Sequence, residues 1–150
     1  MLVSRDGEVK LADFGASIDI QQGLEVTGGG TSTGSPTADG APGARSLRGS
    51  VLWSAPEVLR GGLAGPAADV WSLGCTVIEC LEGEPPWSDL AVKALSQSTL
   101  VASILEALDG PAGGRGVPLP EDASEIAKDF LGLCLRLDPE ERPTVAALVR

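Results

Sequence analysis

The pattern of apolar and polar positions predicts a short hairpin at the start of the chain and helices in its second half. Residues 2–4 and 8–11 have the composition of two short strands, and the turn between them contains Asp-Gly, which is typical of hairpins. Between about residues 67 and 81, apolar side chains occupy nearly every face of a helical pattern. A helix of this kind is usually buried, so we expect it at the centre of the domain.

Further helical patterns cover about residues 98–108 and 123–137. In the second of them, one predicted face carries the apolar residues Ile126, Phe130, Leu133 and Leu137. Asp138-Pro139 interrupts this pattern, and Pro143 opens a last helical segment. The chain is therefore predicted to be mainly α-helical.

Between the hairpin and the helices the composition changes sharply. Residues 27–50 are rich in Gly, Ser, Thr and Pro and contain almost nothing to bury, so we expect a flexible loop with a flexible insert at residues 27–46. Order returns at Trp53. The sequence that follows has the form of a capping box, with Ser54 as the N-cap and Glu57 three residues into the helix.

Length and charge limit the possible classes of protein. The 150 residues, with a mass of 15.2 kDa, are one domain or part of one. A net charge of -10 and a pI near 4.3 argue against nucleic acid or an anionic membrane as partner. The apolar runs are too short to span a membrane, and residues 1–6 do not have the form of a secretory signal, so we expect a cytoplasmic location.

The content of reactive side chains excludes several kinds of site. The sequence has no His, Asn or Tyr, which removes histidine-based triads, histidine metal clusters and N-glycosylation. Cys75, Cys80 and Cys134 are odd in number and lie in apolar helical stretches, so all three are predicted to be buried free thiols.

Two triplets point to a specific chemistry when they are taken together: Asp13-Phe14-Gly15 and, further along, Ala55-Pro56-Glu57. Asp13 follows a short strand, and a carboxylate on such a turn can reach a Mg²⁺ ion that bridges nucleotide phosphates. A surface turn is the alternative for an isolated triplet. The order of the two triplets and their surroundings favour the metal ligand.

The chain resembles a serine/threonine protein kinase, and the sequences of its motifs are most similar to those of MAP kinase kinase kinases of the MEKK type. Four segments carry the resemblance, which extends over the whole chain apart from the insert: residues 9–17, 49–59, 68–79 and 138–144. Four motifs in the family's order are a specific signal.

The resemblance implies the C-terminal lobe of the protein-kinase fold, with a short N-terminal hairpin and a long activation loop. Residues 1–14 would form the hairpin and Mg²⁺ loop, residues 13–57 the activation segment and residues 58–150 the helical lobe. The complete kinase would transfer the γ-phosphate of ATP, with Mg²⁺, to Ser or Thr of a protein substrate, which in this family is a MAP kinase kinase.

The resemblance also assigns roles within the activation segment. Ser50 matches the hydroxyl that faces the catalytic Asp, and with Trp53 it belongs to the substrate loop. The family usually has Thr-Pro-Tyr-Trp-Met there, so this loop departs from the pattern. Ser46 and Ser50 are phosphorylation candidates, although linker composition alone also explains the Ser and Thr content of the insert.

Three charged residues receive structural roles from the resemblance. Glu57 and Arg142 match a buried ion pair that ties the activation segment to the lobe, a role suited to bidentate Arg–carboxylate geometry. Asp69 matches an acid that accepts backbone N–H groups from the catalytic loop. The alternatives are solvated surface charges for the pair and a helix cap for Asp69.

Several parts of a kinase are absent from the sequence. It contains no Gly-rich phosphate loop, no lysine in an N-lobe context and no His-Arg-Asp loop. In the family's alignment the catalytic Asp would precede Met1, so we expect a truncated chain that is inactive alone and binds ATP and Mg²⁺ weakly. Two further hypotheses remain: a non-catalytic docking or decoy module, and an unrelated acidic helical scaffold.

Overall fold

The computed structural model describes residues 2–12, 51–110, 114 and 116–149, and it divides the chain into two compact units, Met1–Ala38 and Asp39–Arg150. Several predicted features lie outside the described residues. They are the Asp13-Phe14-Gly15 triplet, the insert at residues 27–46, and the phosphorylation candidates Ser46 and Ser50.

The described part of the first unit is the hairpin. Strand β1 (Leu2–Val3) pairs antiparallel with β2 (Val9–Lys10), with Leu2 opposite Lys10. The turn is closed by a hydrogen bond of 2.8 Å from the Ser4 amide to the Glu8 carbonyl, and Gly7 takes a φ of 81° that suits glycine. The hairpin therefore lies where the strand pattern predicts it.

The described part of the second unit is helical. Its elements in chain order are a 3₁₀ turn (Val51–Trp53), α1 (Pro56–Leu59), α2 (Pro66–Glu82), α3 (Ser88–Lys93), α4 (Gln97–Asp109), α5 (Glu125–Cys134), a second 3₁₀ turn (Pro139–Glu141) and α6 (Val145–Leu148). A mainly α fold with a small two-stranded sheet is thus confirmed.

Helix α2 is the central element. It begins at Pro66, whose missing N–H costs nothing in the first turn, and ends at Gly83, whose φ of 78° closes the helix. Trp71, Cys75 and Ile78 are buried along it. Leu73 and Leu81 are 37% and 50% exposed, so α2 is not buried all round as its apolar pattern predicts.

Helix α5 packs closely against α2 at a glycine. A Cβ atom added to Gly74 would lie 2.9 Å from Cδ2 of Leu135 and 3.0 Å from Cβ of Cys134, which is closer than side chains normally approach. The absence of a side chain at Gly74 therefore sets the distance between the two helices.

The buried face of α5 is shifted by one residue from the predicted face, so this prediction is wrong. Leu131 and Cys134 are the fully buried side chains of this helix, whereas Ile126 is 82% exposed and Leu133 is 40% exposed. Ala127, Leu131 and Cys134 also follow helical spacing, and the close approach at Gly74 selects this second stripe.

One buried cluster joins the elements of the second unit. Its members come from the first 3₁₀ turn, α1, α2, α4 and the residue before α3: Val51, Ala55, Leu59, Ala68, Trp71, Cys75, Trp87, Ile104 and Leu108. Helix α4 is fixed at its start by a capping box, in which Ser96 and Thr99 bond each other's backbone N–H groups. The core therefore lies on the side of α2 that faces α1 and α4.

The three cysteines are free thiols, but they do not share one environment. Cys75 and Cys134 are buried as predicted, and burial raises the pKa of both thiols, that of Cys75 to about 12. Cys80 is exposed, so the prediction for this residue is wrong. It lies near the end of α2, on the side away from the core.

Among the described residues, no helix is long and apolar enough to cross a membrane. The same residues contain no cluster of three Cys, Asp or Glu side chains that could hold a metal ion.

Candidate functional site

Glu57 lies on α1, a helix of one turn that directly follows the substrate-loop residues. Pro56 occupies the first helical position, and Ala55, in extended conformation, is the N-cap. The predicted capping box with Ser54 as N-cap is therefore wrong. Both oxygens of the Glu57 carboxylate accept hydrogen bonds from Arg142.

The backbone of Glu57 is held at the opposite end of α1. Gly61 takes a φ of 84° and donates its N–H to the Val58 carbonyl, while Gly62 donates to the Glu57 carbonyl at 2.8 Å. These two bonds form a Schellman motif. A Cβ on Gly62 would lie 2.7 Å from the Glu57 oxygen, so this position requires glycine. Glu57 is thus fixed through both its backbone and its side chain.

Arg142 makes a bidentate ion pair with Glu57 across 85 positions of sequence. Its Nη1 donates to Oε1 at 2.7 Å and its Nη2 donates to Oε2 at 2.9 Å. The remaining donors bond three backbone carbonyls, those of Ala67 at 2.9 Å, Arg136 at 2.7 Å and Leu137 at 3.2 Å. Every N–H group of the guanidinium therefore has an acceptor. The predicted pair is present in the structure, and it joins α1 to the start of α2 and to the segment after α5.

The guanidinium lies in a dry environment. The Arg142 side chain is 0% exposed and its Cζ is 5.0 Å from the centre of the Trp71 ring, within cation–π range. The Glu57 side chain keeps 22% exposure. Burial raises the pKa of the Glu57 carboxyl. The hydrogen bonds from Arg142 and from the backbone of Glu57, together with the positive charge of Arg142, outweigh burial and hold this pKa below its usual value.

Trp53 of the predicted substrate loop is fixed to α2. Its indole Nε1 donates to Oε2 of Glu79 at 3.0 Å, and its carbonyl accepts from the Ser72 hydroxyl at 2.9 Å. Trp71 and Trp87 are core residues, whereas Trp53 is only partly buried. Sequence reasoning missed Glu79 and Ser72. Their spacing of seven residues, two turns of one helix face, was the available signal.

Asp69 lies in the first turn of α2, where a carboxylate interacts favourably with the helix N-terminus, and its side chain is exposed. This position agrees with the alternative of a helix cap. The other site residues that the resemblance implies, Asp13, Ser46 and Ser50, lie outside the described residues.

Comparison with known proteins identifies the class. The model of the protein kinase domain family matches residues 1–150, and the chain belongs to this family. It is 37% identical over 150 residues to the mitogen-activated protein kinase kinase kinase ANP1 of Arabidopsis thaliana, and 36% identical to kinase kinase kinase 3 of the same plant. Over 151 residues it is 32% identical to mitogen-activated protein kinase kinase kinase A of Dictyostelium discoideum.

These matches use all of this chain but a small share of each relative. The chain spans 19% of the length of the two plant proteins and 13% of the Dictyostelium protein. The resemblance to MAP kinase kinase kinases of the MEKK type is confirmed. The hypothesis of an unrelated acidic scaffold is wrong, since the family model covers the whole chain.

Proposed function

We propose that this 150-residue chain forms the substrate-binding part of an ATP-dependent serine/threonine kinase of a MAP kinase cascade. In this proposal the end of the activation segment is locked to the helical lobe by Glu57 and Arg142. The observation that carries it is the bidentate pair itself, with a guanidinium that is fully buried and satisfied by five acceptors. An arrangement of this kind fixes position, which phosphoryl transfer to a peptide hydroxyl requires.

The end of the substrate loop and the helix that follows it are both fixed to the rest of the second unit. Trp53 is bonded to Glu79 and Ser72 of α2, and four residues later Glu57 is bonded to Arg142. Val51, at the start of the loop, is buried in the core. A loop held at these points keeps one conformation, which lowers the entropy cost of ordering a protein substrate on it.

The nucleotide and metal belong to the same proposal. Asp13 would hold a Mg²⁺ ion that neutralises charge on the ATP phosphates, as the family resemblance implies. The names of the relatives indicate a MAP kinase kinase as the protein substrate. The 150 residues contain no histidine and hence no His-Arg-Asp loop, so the chain by itself should transfer no phosphate.

A chimera tests this function directly. The part of the ANP1 kinase domain that precedes its match to this chain is joined to residues 1–150, and transfer of labelled γ-phosphate to a purified MAP kinase kinase is measured. We expect transfer by the chimera and none by the chain alone. Asp13→Ala should abolish transfer, whereas Asp6→Ala, which removes a carboxylate from the exposed hairpin turn, should leave it within about twofold.

The possible outcomes separate the two remaining hypotheses. A folded chimera that binds ATP but transfers no phosphate contradicts the proposal and favours the non-catalytic docking module. Equal loss of activity in the two aspartate variants would show that Asp13 has no special role.

A further inference from the structure

A cavity of about 380 Å³ lies at the C-terminal end of α2. It is bounded by the end of α2, by the loop and first residues of α3, and by residues 118–121 before α5. All of its lining residues lie in the second unit. Neither the ion pair nor the substrate loop uses this cavity.

The floor of the cavity is apolar. Ile78 is 3% exposed and Trp87 is 2% exposed, and Pro120 is also buried. At the mouth, Leu119 leaves 41% of its surface exposed. A floor of this composition fits an aliphatic side chain and offers little to a polar one.

The wall of the cavity is held in one conformation. Pro85 and Pro86 fix the backbone φ at two successive positions, and Trp87 then takes a φ of 67°, which is rare for a bulky residue. Burial of the Trp87 indole in the core offsets this strain. The cavity is therefore preformed, so a ligand does not have to order it.

The rim of the cavity carries negative charge. Among the lining residues that the structure describes, the charged ones are Glu82, Glu84, Asp89 and Glu121, and none is basic. Asp89 lies 3.9 Å from Lys93 of its own helix. Within the part of the chain that the structure describes, no ion pair is formed by Glu82, Glu84 or Glu121.

We propose that this acid-rimmed cavity is a docking groove for a basic segment of a partner protein, in which Arg or Lys side chains flank an aliphatic anchor. The aliphatic side chain enters between Trp87 and Leu119, and the basic groups bond the free rim carboxylates. A basic partner is chosen because its charge is complementary to the acidic rim. The net charge of -10 also speeds the approach of such a partner. This site goes beyond the proposed kinase function and does not depend on it.

Fluorescence anisotropy with a labelled peptide, Arg-Arg-Leu-Pro-Leu-Arg-Arg, tests the proposal on the 150-residue chain at about 150 mM salt, where distant charges are largely screened. We expect saturable binding. The variant E82Q/E84Q/E121Q should bind roughly five- to tenfold more weakly. Leu119→Ala, at a position that is 41% exposed, should weaken binding about threefold.

Two controls separate a built groove from general charge attraction. The variant E106Q/D129N/E140Q removes the same number of exposed carboxylates from elsewhere in the second unit and should change the affinity less than about twofold. A peptide with Gly-Ser-Gly in place of Leu-Pro-Leu should bind more weakly than the original. Equal losses in the two triple variants, equal binding of the two peptides, or no saturable binding up to about 1 mM would each overturn the proposal. Circular dichroism confirms that each variant is folded.

Discussion

Replacing Arg142 with methionine should lower the free energy of unfolding by about 3 kcal/mol, near the lower end of the range for breaking a buried ion pair. Methionine keeps the unbranched stem against Trp71 but removes all the N–H donors. It leaves the Glu57 carboxylate and the carbonyls of Ala67, Arg136 and Leu137 without their partner. The loss stays near the lower end because Glu57 retains 22% exposure, so water reaches its carboxylate.

Replacing the acidic partner, Glu57, should lower the free energy of unfolding by less. Glu57→Gln keeps the shape of the side chain and one acceptor oxygen, and Arg142 keeps its three carbonyl acceptors and the Trp71 ring. We expect a loss of about 2 kcal/mol, the value typical of a hydrogen bond between charged groups. Because each single change breaks the same pair, the double variant should be more stable than the sum of the single losses predicts, with a coupling of about 2 kcal/mol.

Urea denaturation followed by tryptophan fluorescence measures this cycle, since Trp71 lies against the Arg142 guanidinium. The chain provides a matched control in Arg60 and Asp109, whose closest contact is also 2.7 Å but whose side chains are 42% and 50% exposed. The same cycle there should give about 0.2–1 kcal/mol.

A coupling below about 0.5 kcal/mol for Glu57 and Arg142, or one no larger than that of the exposed control, would refute this reasoning. If the methionine variant does not fold, Arg142→Lys keeps the charge and loses the fork, and its cycle with Glu57→Gln is measured instead.

Three further predictions concern other features of the fold. Because the pKa of Glu57 is held below its usual value, the pair stabilises the protein above the unfolded pKa of glutamate and loses this effect as pH falls through the folded pKa, so Glu57→Gln should flatten the decline of stability below about pH 4. Gly74→Ala should destabilise by about 1–3 kcal/mol, whereas Gly132→Ala, with open space around its Cβ, should stabilise by about 0.5–1 kcal/mol in the same urea assay. At about pH 8 a thiol reagent should label Cys80 rapidly and the two buried cysteines only on unfolding, and rapid labelling of all three would contradict the described packing.

The sequence is most informative where the signal is local or belongs to a family motif. The hairpin depends on the Asp-Gly turn between two short strand patterns, and α2 depends on a long apolar pattern closed by Gly83. Glu57 and Arg142 are far apart in sequence and could be paired only through the resemblance. Their physical chemistry explains the pair but could not have selected it among the other charges of the chain.

The sequence is least informative where two local patterns compete. On α5, the stripes that start at Ile126 and Ala127 have the same period, and only the close approach of Gly74 decides which one is buried. The sequence around Glu57 fits both a capping box and an ion pair. In the structure Ala55 is the N-cap and the Glu57 carboxylate pairs with Arg142. The acid-rimmed cavity depends on segments that meet only in the folded chain, so no sequence pattern predicted it.

In the function that we propose, the Glu57–Arg142 pair holds the substrate loop in the position that phosphoryl transfer needs. The most direct test is the phosphate-transfer rate of the ANP1 chimera with Glu57→Gln, measured under conditions where circular dichroism shows the variant to be folded. We predict a loss of at least about tenfold in kcat/KM for the protein substrate with unchanged affinity for ATP, and no comparable loss for the exposed control Glu140→Gln. An unchanged kcat/KM in a folded Glu57→Gln chimera would show that the pair does not position the substrate loop.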